Sequence, residues 1–437
     1  MSDPLFLLTI LGAFLFLMAM GLHIHSILLG IGVLGLVFIQ DFKIATAFLR
    51  SDPFGQVANY ALTTIPLYVI MAQFILKSGI VQDAFVMVYK MSKGKPTVLG
   101  SMTVVIGGFL GAVSGSGAAT AASLGSVAVP ELRSYGFKSD LAGAIAAASG
   151  SLSGIIPPSI ILILYGVITE TPISDLFMAA IIPSILTMLV FICCVVVMHR
   201  KNEGDLDVAL PNSSSVHLSA GRMITVLAVG IFMFSLIFGG IYLGVVTPTE
   251  AGAIGALGAF LTALVLGKVD RSFISSSVRD TATVTGMIML ILVGAAIFGR
   301  FVSFSLLPRR ILSLIDFLIQ YPSIILMILA VAFFLLFMFI EGTAVILMAL
   351  PVVLPVIERA QIDVLWFGVF ISVICTLGLI TPPVGLSVYA AAGTSGISAG
   401  KIFKPATKMA LAVAVFVCGS MILFPELATW LPSTAAR

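Results

Sequence analysis

Ile155-Ile156-Pro157-Pro158-Ser159 lies inside a long apolar run, and Leu379-Ile380-Thr381-Pro382-Pro383 lies inside another. Proline removes a backbone donor, clashes with the carbonyl four residues back and disfavours helix in the residue before it. Each doublet therefore breaks a helix and frees several carbonyls. The two doublets are 225 positions apart, and the same shift pairs Phe109 with Phe334, Leu110 with Leu335, Gly117 with Gly342, Ala119 with Ala344, Pro130 with Pro355 and Gly143 with Gly368. After one deletion the register continues through Tyr165 with Tyr389, Ile173 with Ile397 and Ser174 with Ser398. Leucine and alanine coincide often in apolar sequence, but glycine and proline matches in one ungapped register argue for duplication.

The solvent around this duplicated unit follows from composition. The 437 residues are 60% hydrophobic and 9% charged, with mean hydropathy +1.20, where soluble domains carry about a quarter charged residues. Long continuous apolar runs exclude a β-barrel, whose strands alternate, and lipid-exposed backbone must then be helical. Full crossings are expected near 5–22, 26–40, 57–76, 141–169, 184–198, 222–244, 250–267, 283–304, 364–394 and 409–425. Pro4 to Gln40 has no basic leader region and no A-x-A site, so it reads as two retained spans rather than a signal peptide. His23 and His25 fall at the turn between them, where an interfacial role outweighs a proton relay. The cysteines Cys193, Cys194, Cys375 and Cys418 all lie in apolar runs and suit neither a disulfide framework nor a zinc site. The net charge of +3, spread over loops, is no nucleic-acid footprint.

Segments 98–130 and 323–357 are too long for one crossing and are split at Ser114-Gly115-Ser116-Gly117 and Glu341-Gly342-Thr343. Read as re-entrant hairpins they make no net crossing. Each half then crosses five times, and an odd number inserts the second copy upside down. The first repeat covers 1–198 (scaffold helices 1–76, hairpin 98–130, broken helix 141–169). A cytoplasmic linker follows at 199–221. The second repeat covers 222–437 (scaffold helices 222–304, hairpin 323–357, broken helix 364–394). The positive-inside rule agrees. With the N-terminus outside, the inner loops hold Lys77, Lys90, Lys93, Lys95, Arg133, Lys138, Arg200, Lys201, Arg222, Lys268, Arg271, Arg279, Lys401, Lys404 and Lys408. The outer side keeps Lys43, Arg50, Arg309, Arg310, Arg359 and Arg437. Both termini are thus expected outside.

Carbonyls at such breaks, joined by Ser or Thr hydroxyls, make a hard-oxygen cage for sodium, and the helix N-termini that start there attract a carboxylate. Glu341 at the second tip either helps bind a cation or lines the cavity; its counterpart Ser116 is neutral. Arg300, near the outer end of its run, either snorkels to the interface or meets a substrate carboxylate. Glu250 in Thr247-Pro248-Thr249-Glu250 has capping-box spacing. The spans contain no chain of Asp, Glu and His for a proton relay. The sequence also lacks a P-loop, His-Glu-x-x-His and Gly-x-Ser-x-Gly, so ATP hydrolysis and intramembrane hydrolysis have no residues. An enzyme is not expected.

Four stretches in order, Ser114–Ala121 (SGSGAATA), Ile155–Ile160 (IIPPSI), Gly244–Gly255 (GVVTPTEAGAIG) and Leu377–Gly385 (LGLITPPVG), resemble the large membrane subunit of the tripartite ATP-independent periplasmic (TRAP) transporters over essentially the whole chain. The resemblance implies an all-α polytopic membrane protein of the bacterial inner membrane, an inverted-repeat, elevator-type transporter with two re-entrant hairpins and two Pro-Pro-broken helices. It implies coupling to sodium, with no other cofactor, and import of an organic acid. It also implies a small four-helix membrane subunit, expected here as a separate chain, and a periplasmic substrate-binding protein. By motif, one sodium site takes Gly378, Thr381 and Val384 with the tip at Gly342 and Thr343. The mirror site takes Ser153, Ile156 and Ser159 with Ser114, Ser116 and Gly117; Ile156 could contribute only its carbonyl. Substrate is expected against Ser116, Pro158, Glu341, Pro383 and Arg300. The alternative is a stand-alone sodium/divalent-anion symporter that needs no binding protein.

Overall fold

The computed structural model describes residues 4–92, 95–201, 220–307 and 316–435, and every regular element among them is helical. Most of the expected linker lies outside the described residues, as do Lys93, Arg309, Arg310 and Arg437. Among the described residues seven helices are long and apolar enough to cross a membrane: Tyr60–Ser78, Ile173–Lys201, Pro248–Val265, Arg271–Phe304, Pro322–Phe339, Gly342–Arg359 and Ala399–Leu423. Their outward residues are apolar too; Val265 is 81% exposed and Leu34, on Ile24–Ile39, 71%. Such a surface belongs in lipid.

The N-terminal pair, Pro4–Ala19 and Ile24–Ile39, has 16 residues in each helix. The structure adds helices where the sequence suggested loops. Phe42–Val57 is started by Asp41, whose carboxylate accepts from the Ile44 N–H at 2.9 Å, and Ile80–Met91 follows directly on Gly79. The expected crossing 283–304 is the end of one 34-residue helix, Arg271–Phe304, capped by Asp270 onto the Phe273 N–H at 2.6 Å. Charged, half-polar segments beside a bilayer are hard to separate from loops by hydropathy alone, whereas a carboxylate one residue before the first turn satisfies donors that would otherwise be orphaned.

The helices around the two proline doublets fall in the same order. The helical hairpins are Pro96–Ser114 with Gly117–Ser134, and Pro322–Phe339 with Gly342–Arg359. The interrupted helices are Ser139–Ser151 with Ile160–Thr169, and Val364–Gly378 with Leu386–Ser395. The long helices Ile173–Lys201 and Ala399–Leu423 follow them. One detail of the sequence register is corrected. Up to the breaks the offset is 225, as Gly117 and Gly342 show. Beyond them the half-helices starting at Ile160 and Leu386 differ by 226, so the second copy has gained a residue rather than lost one. The extra residue is accommodated around Gly385, which has φ +49°, a left-handed conformation that glycine adopts without penalty. The Tyr165–Tyr389 match is therefore a coincidence of apolar sequence.

The two copies interlock. Gly117–Ser134 packs on Leu386–Ser395 of the other copy, and Gly342–Arg359 packs on Ile160–Thr169. Around this body, Arg271–Phe304 packs along Ile24–Ile39 and Thr64–Ser78, and Pro248–Val265 packs on Thr64–Ser78. Close approach is bought with glycine: a Cβ on Gly32 would stand 2.8 Å from the Phe298 backbone nitrogen, and one on Gly294 2.8 Å from the His25 carbonyl. Ion pairs tie the outer helices together, Lys77 to Asp280 at 2.7 Å, Arg222 to Asp83 at 3.2 Å and Arg300 to Asp52 at 2.7 Å.

Candidate functional site: two hairpin tips against two helix breaks

In the first copy the hairpin turns through Gly115, with φ +62°, and its second arm begins at Gly117. Ser116 caps that arm by accepting from the Ala119 N–H at 3.3 Å. Ser114 Oγ lies 2.6 Å from Thr120 Oγ1, which ties the two arms at the tip. The first arm presses on the break: a Cβ on Gly111 would stand 2.9 Å from the Ser153 nitrogen, and one on Gly108 2.8 Å from Ile156 Cδ1. The break runs as a short 3-10 turn, Leu152–Gly154, into the doublet. Leu152 O accepts from both Ile155 N and Ile156 N. Ser159 Oγ–H donates to Gly154 O at 2.9 Å, bridging the gap with a side chain. Pro157, Pro158 and Ser159 are buried, and the peptide bond between the prolines is cis.

The second copy has the same plan with different side chains. Glu341 caps Gly342–Arg359, its Oε2 accepting from the Thr343 N–H at 2.9 Å, the Ala344 N–H at 3.4 Å and the Thr343 hydroxyl. A carboxylate is well placed at a helix N-terminus. Gly342 faces Cys375, and a Cβ on Gly378 would fall 2.8 Å from the Phe337 carbonyl oxygen. At this break Thr381 Oγ1–H donates to Leu377 O at 2.6 Å, and the Thr381 N–H reaches Gly378 O at 3.2 Å. The Ser387 N–H donates to Leu379 O at 3.1 Å. Thr381 is buried, Val384 half-buried, and Pro382 and Pro383 are exposed; their bond is also cis.

The expected residues thus gather in two groups. Ser114, Ser116, Gly117, Ser153, Ile156, Pro158 and Ser159 lie around the first tip. Glu341, Gly342, Thr343, Gly378, Thr381, Pro383 and Val384 lie around the second. Arg300 joins neither: its guanidinium is on Asp52 and 5.0 Å from the Phe48 ring centroid. That is the interfacial alternative, with an ion partner the sequence could not indicate across 248 positions. Thr120, Cys375 and Ser387 also reach the two groups, and nothing in the sequence reading pointed to them.

Hydroxyls that spend their proton on a neighbouring carbonyl turn lone pairs to the other side, and free carbonyls do the same. Solved structures share this all-helical fold. The Alcanivorax borkumensis YdaH transporter superposes with TM-score 0.64 over 89% of this chain and 91% of that one, at 15% identity. Neisseria gonorrhoeae MtrF gives 0.56 over 88% and 85%, at 13% identity. The family model of the tripartite ATP-independent periplasmic transporter DctM component matches residues 11–427, and the chain belongs to that family. Similar curated proteins include the sialic acid TRAP transporter large permease SiaM of Vibrio cholerae, 27% identical over 88% of this chain and 89% of that one. The ectoine/5-hydroxyectoine large permease UehC of Ruegeria pomeroyi is 32% identical over 74% and 75%. The chain is a multi-pass transporter subunit of the inner membrane and not an enzyme.

Proposed function

We propose that this chain is the translocating permease of a sodium-coupled secondary transporter, importing a small organic acid handed over by a periplasmic binding protein. The observation that carries the proposal is the doubled arrangement in which a hairpin tip lies against a helix break. Non-helical backbone at membrane depth is stable only where it is buried in protein or lines a cavity. Here it exposes carbonyls and hydroxyls twice, under inversion. Ser153, Ile156 O and Ser159 with Ser114–Gly117 form one sodium site; Gly378, Thr381 and Val384 with Gly342 and Thr343 form the other. Ser116, Pro158, Glu341 and Pro383 face the substrate between them, and Arg300 is left to Asp52.

The interlocked hairpins and interrupted helices form the moving body of an elevator, and the remaining helices form its scaffold. Contact between the two at Gly299 and Pro351 is ordinary van der Waals, 3.8 Å even for an added Cβ, which suits sliding. Both termini are assigned to the periplasm. The pairs Lys77–Asp280 and Arg222–Asp83 support this grouping, since each joins segments assigned to the inner side. Relatives are named for sialic acid, C4-dicarboxylate and 2,3-diketo-L-gulonate, which favours a carboxylate as cargo. A small membrane subunit completes the tripartite system.

Uptake into proteoliposomes carrying the assembled permease should need an inward sodium gradient, persist when the proton gradient is collapsed, and depend on the binding protein. Uptake that follows pH and ignores sodium would refute the coupling. Sodium-driven uptake without the binding protein would favour the stand-alone divalent-anion symporter. Cysteine labelling should place residues 85–95 and 200–220 in the cytoplasm, and a cytoplasmic C-terminus would break the odd-crossing topology.

A further inference from the structure

Leu386–Ser395 carries a hydroxyl that the fold does not use. Ser387 is fully buried, and its Oγ has no hydrogen-bond partner among the described residues. It comes from the second copy but stands at the tip of the first. From the position a Cβ would take on Gly117, Ser387 Oγ is 3.1 Å away, Gly150 O 3.2 Å and Leu379 Cδ1 3.2 Å. Two oxygens, one hydroxyl and one carbonyl, thus converge on the same edge of the first hairpin's second arm. The mirror position is lined differently on this edge. There a Cβ on Gly342 would meet Ile161 Cδ1 and Cys375 Sγ, each at 2.8 Å. Ile161 replaces Ser387 and Cys375 replaces Gly150 at the same point of the repeat.

Leaving a buried hydroxyl unpaired is unfavourable, and a leucine- or valine-sized apolar group would serve packing better. A carbonyl and a hydroxyl oxygen are the ligands of a hard cation. A carboxylate is a poor fit to them, because carbonyl oxygens repel it. We propose that Ser387 supplies, from the second copy, an oxygen ligand to the cation site at the first hairpin tip, with Gly150 O beside it. The bound ion then fixes Leu386–Ser395 against Gly117–Ser134, so that occupancy of one copy's site is felt by the other copy's interrupted helix. This rests on the sodium-coupled reading above.

The test uses Ser387→Ala, which removes the oxygen, and Ser387→Cys, which keeps the volume but offers sulfur, a weak ligand for sodium. Sodium is titrated against choline in two assays: uptake by the reconstituted complete system, and thermal stabilisation of the purified permease. Both variants should raise the half-maximal sodium concentration by about tenfold in both assays. Unchanged sodium dependence in both variants, with wild-type uptake still sodium-driven, overturns the role of Ser387 and leaves the coupling intact. A shift in Ala that Cys reverses means the side chain only fills space, which also overturns it. Sodium-independent uptake and stability in the unmodified protein overturn the coupling and this inference together.

Discussion

The two breaks share a backbone plan and solve it with opposite side chains. In the first copy the small residue is on the hairpin, Gly111, and the break presents Ser153. In the second the small residue is in the break, Gly378, and the hairpin presents Phe337. The first break is bridged by Ser159 to Gly154 O, beyond the prolines; the second by Thr381 to Leu377 O, before them. One tip is capped by a neutral serine, the other by a carboxylate. The two regions agree in where backbone approaches backbone and where polar groups are freed, and differ in which residues do it.

The severest way to break the comparison is to fill both contacts. Gly378→Ala puts a Cβ 2.4 Å from Phe337 Cβ and 2.7 Å from its carbonyl carbon, whereas Gly111→Ala meets Ser153 at 2.9 to 3.1 Å. Overpacking a tight contact costs about 1–3 kcal/mol, occasionally more. Both variants should lower the unfolding temperature of the purified protein and reduce uptake, Gly378→Ala more than Gly111→Ala. Equal, wild-type-like melting would mean that the hairpins do not press on the breaks.

Thr381 sharpens the comparison, because its counterpart Ile156 has no hydroxyl. Thr381→Val keeps the shape and loses the oxygen; Thr381→Ser keeps the oxygen and loses a methyl. Loss of a ligand should raise the half-maximal sodium concentration by about tenfold, where about 1.4 kcal/mol is a factor of ten, with Ser near wild type. A packing role predicts the reverse order, since the methyl-sized void would cost about 1 kcal/mol. Sodium titrations of uptake at matched expression separate the two.

The caps should give the smallest effects. Losing a side-chain N-cap costs about 0.5–2 kcal/mol, and a carboxylate at an N-terminus adds about 0.3–1 kcal/mol. Ser116→Ala and Glu341→Gln should each lower the melting temperature slightly. Only Glu341→Gln should respond to ionic strength differently from the parent, and thermal melts at low and high potassium chloride check this.

The legible part of the molecule was whatever lipid and backbone chemistry dictate. Apolar runs marked most of the long helices, and the proline doublets marked the interruptions. Phe42–Val57 and the first turns of Arg271–Phe304 were missed because their polar faces lower hydropathy to that of a loop, and only Asp41 and Asp270 mark their starts. Ser387 was hidden for another reason. It gains meaning only from the approach of Gly117, 270 positions earlier, and a serine in a half-helix carries no local sign of that. The register after the breaks failed because a chance tyrosine match outweighed an inserted residue that the left-handed Gly385 makes invisible to pattern.

Asp280 and Arg300 lie on the same unbroken helix, each held to a different neighbouring helix. Twenty residues of helix rise about 30 Å, the thickness of a bilayer's hydrocarbon core. The pairs therefore act as two rivets on a ruler. One grips at Lys77 and the other at Asp52, and the metal between them has a fixed length. A membrane several ångströms thicker or thinner must draw one rivet into oil or tilt the whole helix, so the spacing of the two pairs is matched to a bilayer of ordinary thickness.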